Sequence, residues 1–137
     1  MKTEELAKTI VEFYEKISSW EHAVVKESGL SPAQMHTIEI VGHAKEIRMK
    51  DLAQKMGVTT GTLTVSVDKL EKLVLLERIR HHSDRRSYLI VLTEQGKKLF
   101  KEHHKLHVQM TEELVNGLSE KEQNQFGMTL IKAISNI

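Results

Sequence analysis

The sequence predicts a mainly α-helical protein that carries one small β-hairpin. Apolar residues recur every three or four positions along most of the 137-residue chain, which is the spacing of amphipathic helices. Aromatic residues make up only 4% of the sequence, which favours a core of Leu, Ile, Val and Met over a β-sandwich. The exception is residues 77–92, where two short runs suited to strands flank a turn-forming segment, SDRRS, at 83–87.

Two helices are predicted at the start of the chain. The first covers residues 3–27 and has one continuous apolar stripe. The second begins after Gly29, because Ser31 is suited to cap a helix and Pro32 to occupy its first turn. It is expected to end near Gly42.

A pair of shorter helices follows and has the pattern of a helix-turn-helix. The first covers 49–56, with the small Ala53 where a second helix must pack closely, and Gly57 supplies the sharp turn. The second runs from Thr59 or Thr60 to about Val74. Its predicted buried stripe is Leu63, Val67, Leu70 and Val74.

The chain closes with two more predicted helices after the hairpin. Thr93 opens a long helix to about Asn116, and the capping-box pattern Ser119-x-x-Glu122 starts the last one. The terminal helices carry apolar stripes too large to leave exposed on a monomer, so we expect a symmetric homodimer to cover them. These stripes are Leu6, Ile10, Phe13 and Ile17, and Phe126, Leu130, Ile131 and Ile134.

Composition excludes several classes of function. The chain has no cysteine, so thiolate chemistry and disulfides are absent. It shows neither a Gly-rich phosphate loop nor a nucleophile motif, and we expect no enzymatic activity. No signal segment or membrane span is recognisable, which predicts a cytoplasmic location without membrane association.

Positive charge is concentrated around the hairpin. The net charge is only +1, but residues 72–105 hold nine Lys or Arg against four Asp or Glu. Such a local excess is the usual footprint of an anionic partner. Because the hairpin follows a helix-turn-helix directly, the order is that of a winged helix, and the expected partner is double-stranded DNA.

The second helix of the pair and the hairpin supply the candidate DNA contacts. Threonine hydroxyls can bond bases or phosphates in the major groove, and arginine is drawn into a narrow minor groove. The alternative is that the threonines only cap and solvate a surface helix. The candidate DNA-binding residues are Thr59, Thr60, Thr62, Thr64, Lys69, Asp84, Arg85 and Arg86.

The hairpin and its flanks resemble the wing signature of the MarR family of bacterial transcriptional regulators. The resemblance implies a single domain over 1–137, with a winged helix-turn-helix lobe at 30–92 and dimerisation helices at 1–28 and 93–137. It also implies a homodimeric repressor on a pseudopalindromic operator. The matching segments are Glu77-Arg78, Asp84-Arg85-Arg86-Ser87 and Leu92-Thr93-Glu94-Gln95-Gly96.

Residue roles also follow from this resemblance. In the family the wing aspartate orients the arginine two places later, which enters the minor groove. Here those positions are Asp84 and Arg86, while Arg85 occupies the variable middle position.

Three further segments are similar to the branch of the family that represses fatty-acid-biosynthesis genes in Gram-positive bacteria. They are Met35-His36-Thr37-Ile38, Thr60-Gly61-Thr62-Leu63-Thr64 and the spacing His103…His107…Met110. The likeness implies an acylated acyl carrier protein as corepressor, whose acyl chain enters between the dimer helices and the DNA-binding lobes. The expected pocket is lined by Phe13, Trp20, Met35, His36, Ile38, Leu106 and Met110.

Eight histidines leave a second effector open. His103 and His107 are four residues apart on one helix, a spacing that suits Zn²⁺. The ordinary interpretation is that these histidines are hydrogen-bonded or solvated. No cofactor is required for the DNA-binding function. The alternatives are therefore a zinc-responsive regulator of the same fold, or a winged-helix protein-interaction module that does not bind DNA.

Overall fold

The computed structural model describes residues 1–84 and 86–137, so the predicted DNA contact Arg85 lies outside the described residues. The chain divides into two compact units, Met1–Phe100 and Lys101–Ile137. Within the described residues, no helix is both long and apolar enough to cross a membrane.

The predicted mainly α-helical fold class with a small β-wing is confirmed. The sheet has three antiparallel strands in the order β1-β3-β2. The helices are α1 (Thr3–Lys26), α2 (Pro32–Ala44), α3 (Met49–Met56), α4 (Thr60–Lys72), α5 (Glu94–Leu114) and α6 (Glu120–Ile134), and the strands are β1 (Glu46–Arg48), β2 (Leu76–Arg80) and β3 (Tyr88–Leu92).

Local signals determine where most helices begin. The Ser31 side chain accepts a hydrogen bond from the main-chain N–H of Gln34 at 3.1 Å, and the Gln34 side chain accepts one from the Ser31 N–H at 2.9 Å. Ser119 and Glu122 form the same reciprocal cap on α6. These bonds satisfy main-chain donors that a helix start leaves unpaired, as the sequence predicted.

The core of the first unit joins the helix-turn-helix to the sheet. Leu63, Val67 and Leu70 of α4 are fully buried, and each contributes about 2 kcal/mol of hydrophobic stabilisation. Gly57 ends α3 with φ +67°, the left-handed conformation expected for the turn. The other members of this core are Val25, Met35, Ile38, Val41, Ile47, Leu52, Ala53, Leu75, Leu76, Ile90 and Leu92.

Two expectations about this lobe are wrong. Residues 46–48 form strand β1, which pairs with β3 through Ile47 and Ile90, whereas the sequence predicted only the two strands of the hairpin. Val74 is 57% exposed rather than buried, and it has φ +60°. α4 ends two residues earlier, and the buried positions pass to Leu75 and Leu76.

A close approach fixes the base of the wing. The Thr93 hydroxyl donates to the Val74 carbonyl at 2.6 Å and accepts from the Gly96 N–H at 3.0 Å. The Thr93 N–H donates to the Leu75 carbonyl at 3.1 Å. A side chain at Gly96 would collide with that same Leu75 carbonyl oxygen. Glycine is therefore required where the start of α5 touches the link between α4 and β2.

The terminal helices expose their apolar stripes. In α1, Ile10 is 57% exposed, and Leu6, Val11, Phe13 and Tyr14 are exposed as well. Every residue of α6 is exposed except the half-buried Gly127. Both stripes thus have the character of surfaces that a partner covers.

Candidate nucleic-acid interface

The threonine-rich start of α4 is organised by its own hydroxyls. Thr59 caps the helix by accepting from the Thr62 N–H at 3.2 Å, and its hydroxyl donates to the Thr62 hydroxyl oxygen at 3.0 Å. The Thr64 hydroxyl donates back to the Thr60 carbonyl at 2.7 Å. Because Thr62 Oγ1 accepts in this chain of bonds and the side chain is exposed, its own O–H remains available as a donor.

The exposed face of α4 has two parts: the first turns, which are available to contact DNA bases, and the last turns, which hold the wing. Thr60, Thr62 and Thr64 are exposed in the first two turns, where a recognition helix meets base edges. Lys69 is exposed in the last turn of the helix. Asp68 is also exposed, but it accepts a hydrogen bond from Arg78 of the sheet.

Arg78 ties the recognition helix to the wing. Its guanidinium donates to Asp68 at 2.6 Å and to Glu71 at 2.7 Å, and its main-chain N–H donates to the other Glu71 oxygen at 3.1 Å. Partial burial alone would lower the pKa of Arg78, but the hydrogen bonds and charges of the two carboxylates together raise it. The first strand of the hairpin is therefore held to the last turns of α4 by a charged bridge.

The wing tip is built around Asp84. One carboxylate oxygen accepts from the main-chain N–H of Arg86 at 3.0 Å, and the other accepts from the Ser87 hydroxyl at 2.9 Å. These bonds hold the pKa of Asp84 below its usual range, with the Arg86 N–H as the largest cause. Asp84 thus positions Arg86 through the main chain, which leaves the exposed Arg86 guanidinium for a ligand.

His81 has a role in the tip that the sequence did not indicate. Its Nδ1 accepts from the main-chain N–H groups of Ser83 and Asp84, each at 3.2 Å, and lies 3.0 Å from the Ser83 hydroxyl. Its Nε2 lies 3.1 Å from Nη2 of Arg48 at the end of β1. The ring therefore lies between the tip and the end of β1.

The predicted ligand-pocket residues differ in how far they are exposed. Met35 and Ile38 are 1% and 0% exposed and belong to the core of the lobe. The adjacent His36 is exposed, so only one side chain of that segment faces outward. Of the remaining residues, Trp20 and Met110 are half-buried, and Phe13 and Leu106 are exposed.

The two predicted metal ligands do converge. Nε2 of His103 lies 3.1 Å from Nε2 of His107, and the ring centroids are 4.8 Å apart. His103 is buried and His107 half-buried. The pair can share one proton in an N–H···N bond, or turn both lone pairs towards a cation.

Sequence reasoning assigned no structural role to three residues that contact the hairpin or the turn at its tip: Arg48, Arg78 and His81. Arg78 carried a usable signal, because Asp68 and Glu71 are three residues apart on α4 and so share a helix face that needs a cation. Arg48 carried no such signal in the sequence, since the neighbouring His81 is 33 residues away and β1 was not predicted.

The lobe thus presents a threonine-lined helix end and an arginine-bearing wing on a rigid frame. That combination defines a winged-helix DNA-binding protein.

Comparisons with known proteins identify the family of winged-helix proteins to which the chain belongs. A family model described as the MarR family matches residues 30–88. The HTH-type transcriptional regulator YcgE of Bacillus subtilis is 30% identical over 122 residues, which are 86% of this chain and 79% of that protein.

Solved structures agree with this assignment. Streptococcus pneumoniae FabT in complex with DNA superposes with a TM-score of 0.86 at 26% identity, covering 98% of this chain and 96% of that chain. Reduced MarR from E. coli shares the fold, with a TM-score of 0.76 at 24% identity over 93% of this chain and 95% of that chain. The chain belongs to the MarR family and is a DNA-binding transcriptional regulator rather than an enzyme.

Proposed function

We propose that the protein is a repressor that binds a pseudopalindromic operator as a homodimer. The first turns of α4 enter the major groove, and Arg86 enters the adjacent minor groove. The observation that carries the proposal is the wing tip, where Asp84 holds the main chain of Arg86 and leaves its guanidinium outward. A narrow A·T-rich minor groove attracts such a group.

A salt titration tests this mode of binding. The probe is a duplex selected from a random pool by the purified protein, and its affinity is measured by fluorescence anisotropy. Counterion release predicts that log affinity falls with log salt by about 0.9 for each neutralised phosphate. Affinity that does not change with salt would exclude backbone binding by this basic surface.

The exposed apolar stripes support the homodimer. Ile131 is 72% exposed on α6, and we expect a second copy of the chain to cover it. Ile131→Asp should give monomers in analytical ultracentrifugation and abolish operator binding. Lys132→Asp changes the charge of the neighbouring residue and serves as the control, which should remain dimeric.

For the effector, an acyl chain delivered by acylated acyl carrier protein is the first candidate, acting on fatty-acid-biosynthesis genes. It is supported by the similarity of the three segments named above to the fatty-acid-biosynthesis branch of the family. Operator affinity measured with acylated and with unacylated carrier protein tests it. Tighter binding only with the acylated form is expected, and equal affinities would contradict the proposal.

Zinc is the second candidate effector, favoured by the convergence of His103 and His107. Two imidazoles at this spacing can occupy two positions of a Zn²⁺ site. Calorimetry of Zn²⁺ binding to the wild-type protein and to His107→Ala tests this candidate. Equal heats for the two proteins, or operator affinity that is unchanged between Zn²⁺ and chelator, would remove it.

A further inference from the structure

We propose that Arg48 and His81 form a phosphate-binding site at the root of the wing, which holds one backbone phosphate of the DNA. The inference rests on the DNA binding proposed above. It adds a contact outside both α4 and Arg86, made by residues to which neither the sequence nor the family resemblance assigns a role.

The hydrogen bonds of the tip fix where the His81 proton lies. Nδ1 receives main-chain N–H groups from Ser83 and Asp84, and main-chain amides can only donate. Nδ1 must therefore be unprotonated in this conformation. A neutral imidazole carries one ring proton, so that proton is on Nε2.

In this tautomer, two hydrogen-bond donors, one on His81 and one on Arg48, face each other. Nε2–H of His81 faces Nη2 of Arg48 at 3.1 Å, and a guanidinium has no acceptor. The two groups cannot bond to one another at this distance. Both can donate to a single oxygen placed between them, and an anionic oxygen gives the strongest such bonds.

Among the described residues, no hydrogen bond joins an Asp84 oxygen to Arg48 or to Nε2 of His81. Asp84 is close enough for Arg48 and His81 to lower its pKa, although these are minor causes beside its hydrogen bonds. Both Asp84 oxygens already accept, one from the Arg86 N–H and one from Ser87. Arg48 is exposed and His81 half-buried, so an external anion has access to the donor pair.

The location fits a phosphate of the duplex. Arg48 ends β1, and its pairing partner Leu89 is in turn paired with Ile79, two residues before His81. The donor pair therefore spans the sheet at the root of the tip that carries Arg86. A hairpin whose tip enters a minor groove brings its root alongside the sugar–phosphate strand that borders the groove, where protein donors usually bind.

Two matched variants test the site. His81→Asn keeps an acceptor where Nδ1 lies, since an Asn carbonyl can receive main-chain N–H groups in a turn, but it removes the Nε2 donor. Arg48→Gln removes the charge and keeps much of the side-chain length. Lys8→Gln, which removes an exposed charge from α1, is the control.

The readout is the affinity for the selected duplex, and for a random duplex of equal length, over a salt series. Arg48→Gln should weaken both about tenfold and reduce the log–log salt slope by about 0.9 for each bound subunit. His81→Asn should weaken both severalfold without changing the slope. The double variant should lose less than the product of the two single losses, because both residues hold one phosphate.

The failure of this inference is distinguishable from failure of the proposed function. If wild type and Lys8→Gln bind with a steep salt dependence while Arg48→Gln and His81→Asn bind equally well, the phosphate site alone is overturned. Losses that multiply in the double variant would also overturn a shared phosphate. If the wild-type protein shows no salt-dependent affinity for any duplex, the DNA-binding mode itself fails. Thermal unfolding of each variant, with the Ser83 and Asp84 amide resonances, verifies that the tip is intact.

Discussion

The base and the tip of the wing are held by different kinds of contact. At the base, the Thr93 hydroxyl bonds the Val74 carbonyl, Gly96 lies against the Leu75 carbonyl, and Arg78 bridges to α4. At the tip, which comprises residues 81–84, 86 and 87, exposed and half-buried side chains bond mainly to nearby main-chain groups. The base therefore provides stability, and the tip provides an exposed guanidinium.

Because the two regions are held by different contacts, substitutions in them should have separable effects on folding stability and on DNA affinity. A change at the base loosens the frame, so it should lower folding stability and DNA affinity together. A change at the tip removes a contact from a frame that stays folded, so it should lower affinity alone. The following predictions test that separation, from the largest expected effect to the smallest.

Gly96→Ala should destabilise the protein by about 3 kcal/mol, because its methyl group would collide with the Leu75 carbonyl oxygen and the main chain must shift. Denaturant unfolding measures the loss. Gly127→Ala in α6 is the control, since an added Cβ there meets no described heavy atom within 4 Å beyond its own helix. That control should gain up to about 1 kcal/mol. Equal stability of the two variants would show that the base is not tightly packed.

Arg86→Ala should weaken operator binding by about 2 kcal/mol, roughly thirtyfold, with the melting temperature unchanged. The guanidinium is exposed, so its removal costs no packing. Anisotropy and thermal unfolding on the same sample test this. A parallel fall in the melting temperature would make Arg86 a structural residue and would remove the distinction between tip and base.

Arg78→Met should lower the free energy of unfolding by about 1 kcal/mol and also weaken DNA binding, because two carboxylates on α4 lose their shared cation. Lys97→Met breaks the exposed pair with Glu94 and is the matched control. Its stability should change by less than about 0.5 kcal/mol. If both variants lose equally, the bridge adds nothing beyond an ordinary surface pair.

Acid should release the tip by protonating the Asp84 carboxylate. The pKa of Asp84 is depressed in the folded state, so its contribution is present above the ordinary value of about 3.9 and is lost as pH falls through the lower folded value. The Arg86 amide resonance should therefore move at a pH below the ordinary pKa of an Asp carboxyl group. In Asp84→Asn this titration should disappear. A midpoint at or above the ordinary value would contradict the hydrogen bonds assigned to the carboxylate.

Much of the fold was predictable because its signals are local. The Ser31 and Ser119 caps, the Gly57 turn and the stripe of α4 each depend on residues within a few positions of one another. β1 was not predictable, because three residues carry no periodicity and become a strand only by pairing with β3, more than 40 positions later. Val74 was misjudged because a helical period says nothing about where the chain must turn.

The candidate site divides in the same way. The exposed threonines of α4 and the pairing of Asp84 with Arg86 were expected from the sequence, although the contact to the Arg86 main chain required coordinates. The bond network of His81 was not expected, since its donors and Arg48 are brought to it by the turn and by β1. The predicted pocket remains a prediction, with Met35 and Ile38 assigned to the core.

The Arg78 bridge has a consequence for how such a regulator acquires new operators. Asp68 and Glu71, in the last turns of α4, hold the wing, whereas residues 60–65 in the first turns are free of that duty. Substitutions confined to the first turns can redirect base recognition while the hairpin keeps its attachment. A whole helix transplanted from a relative would release the hairpin unless the donor also carried acids at positions 68 and 71. Base specificity can thus change through substitutions in the first half of α4, while the second half is constrained because it holds the wing.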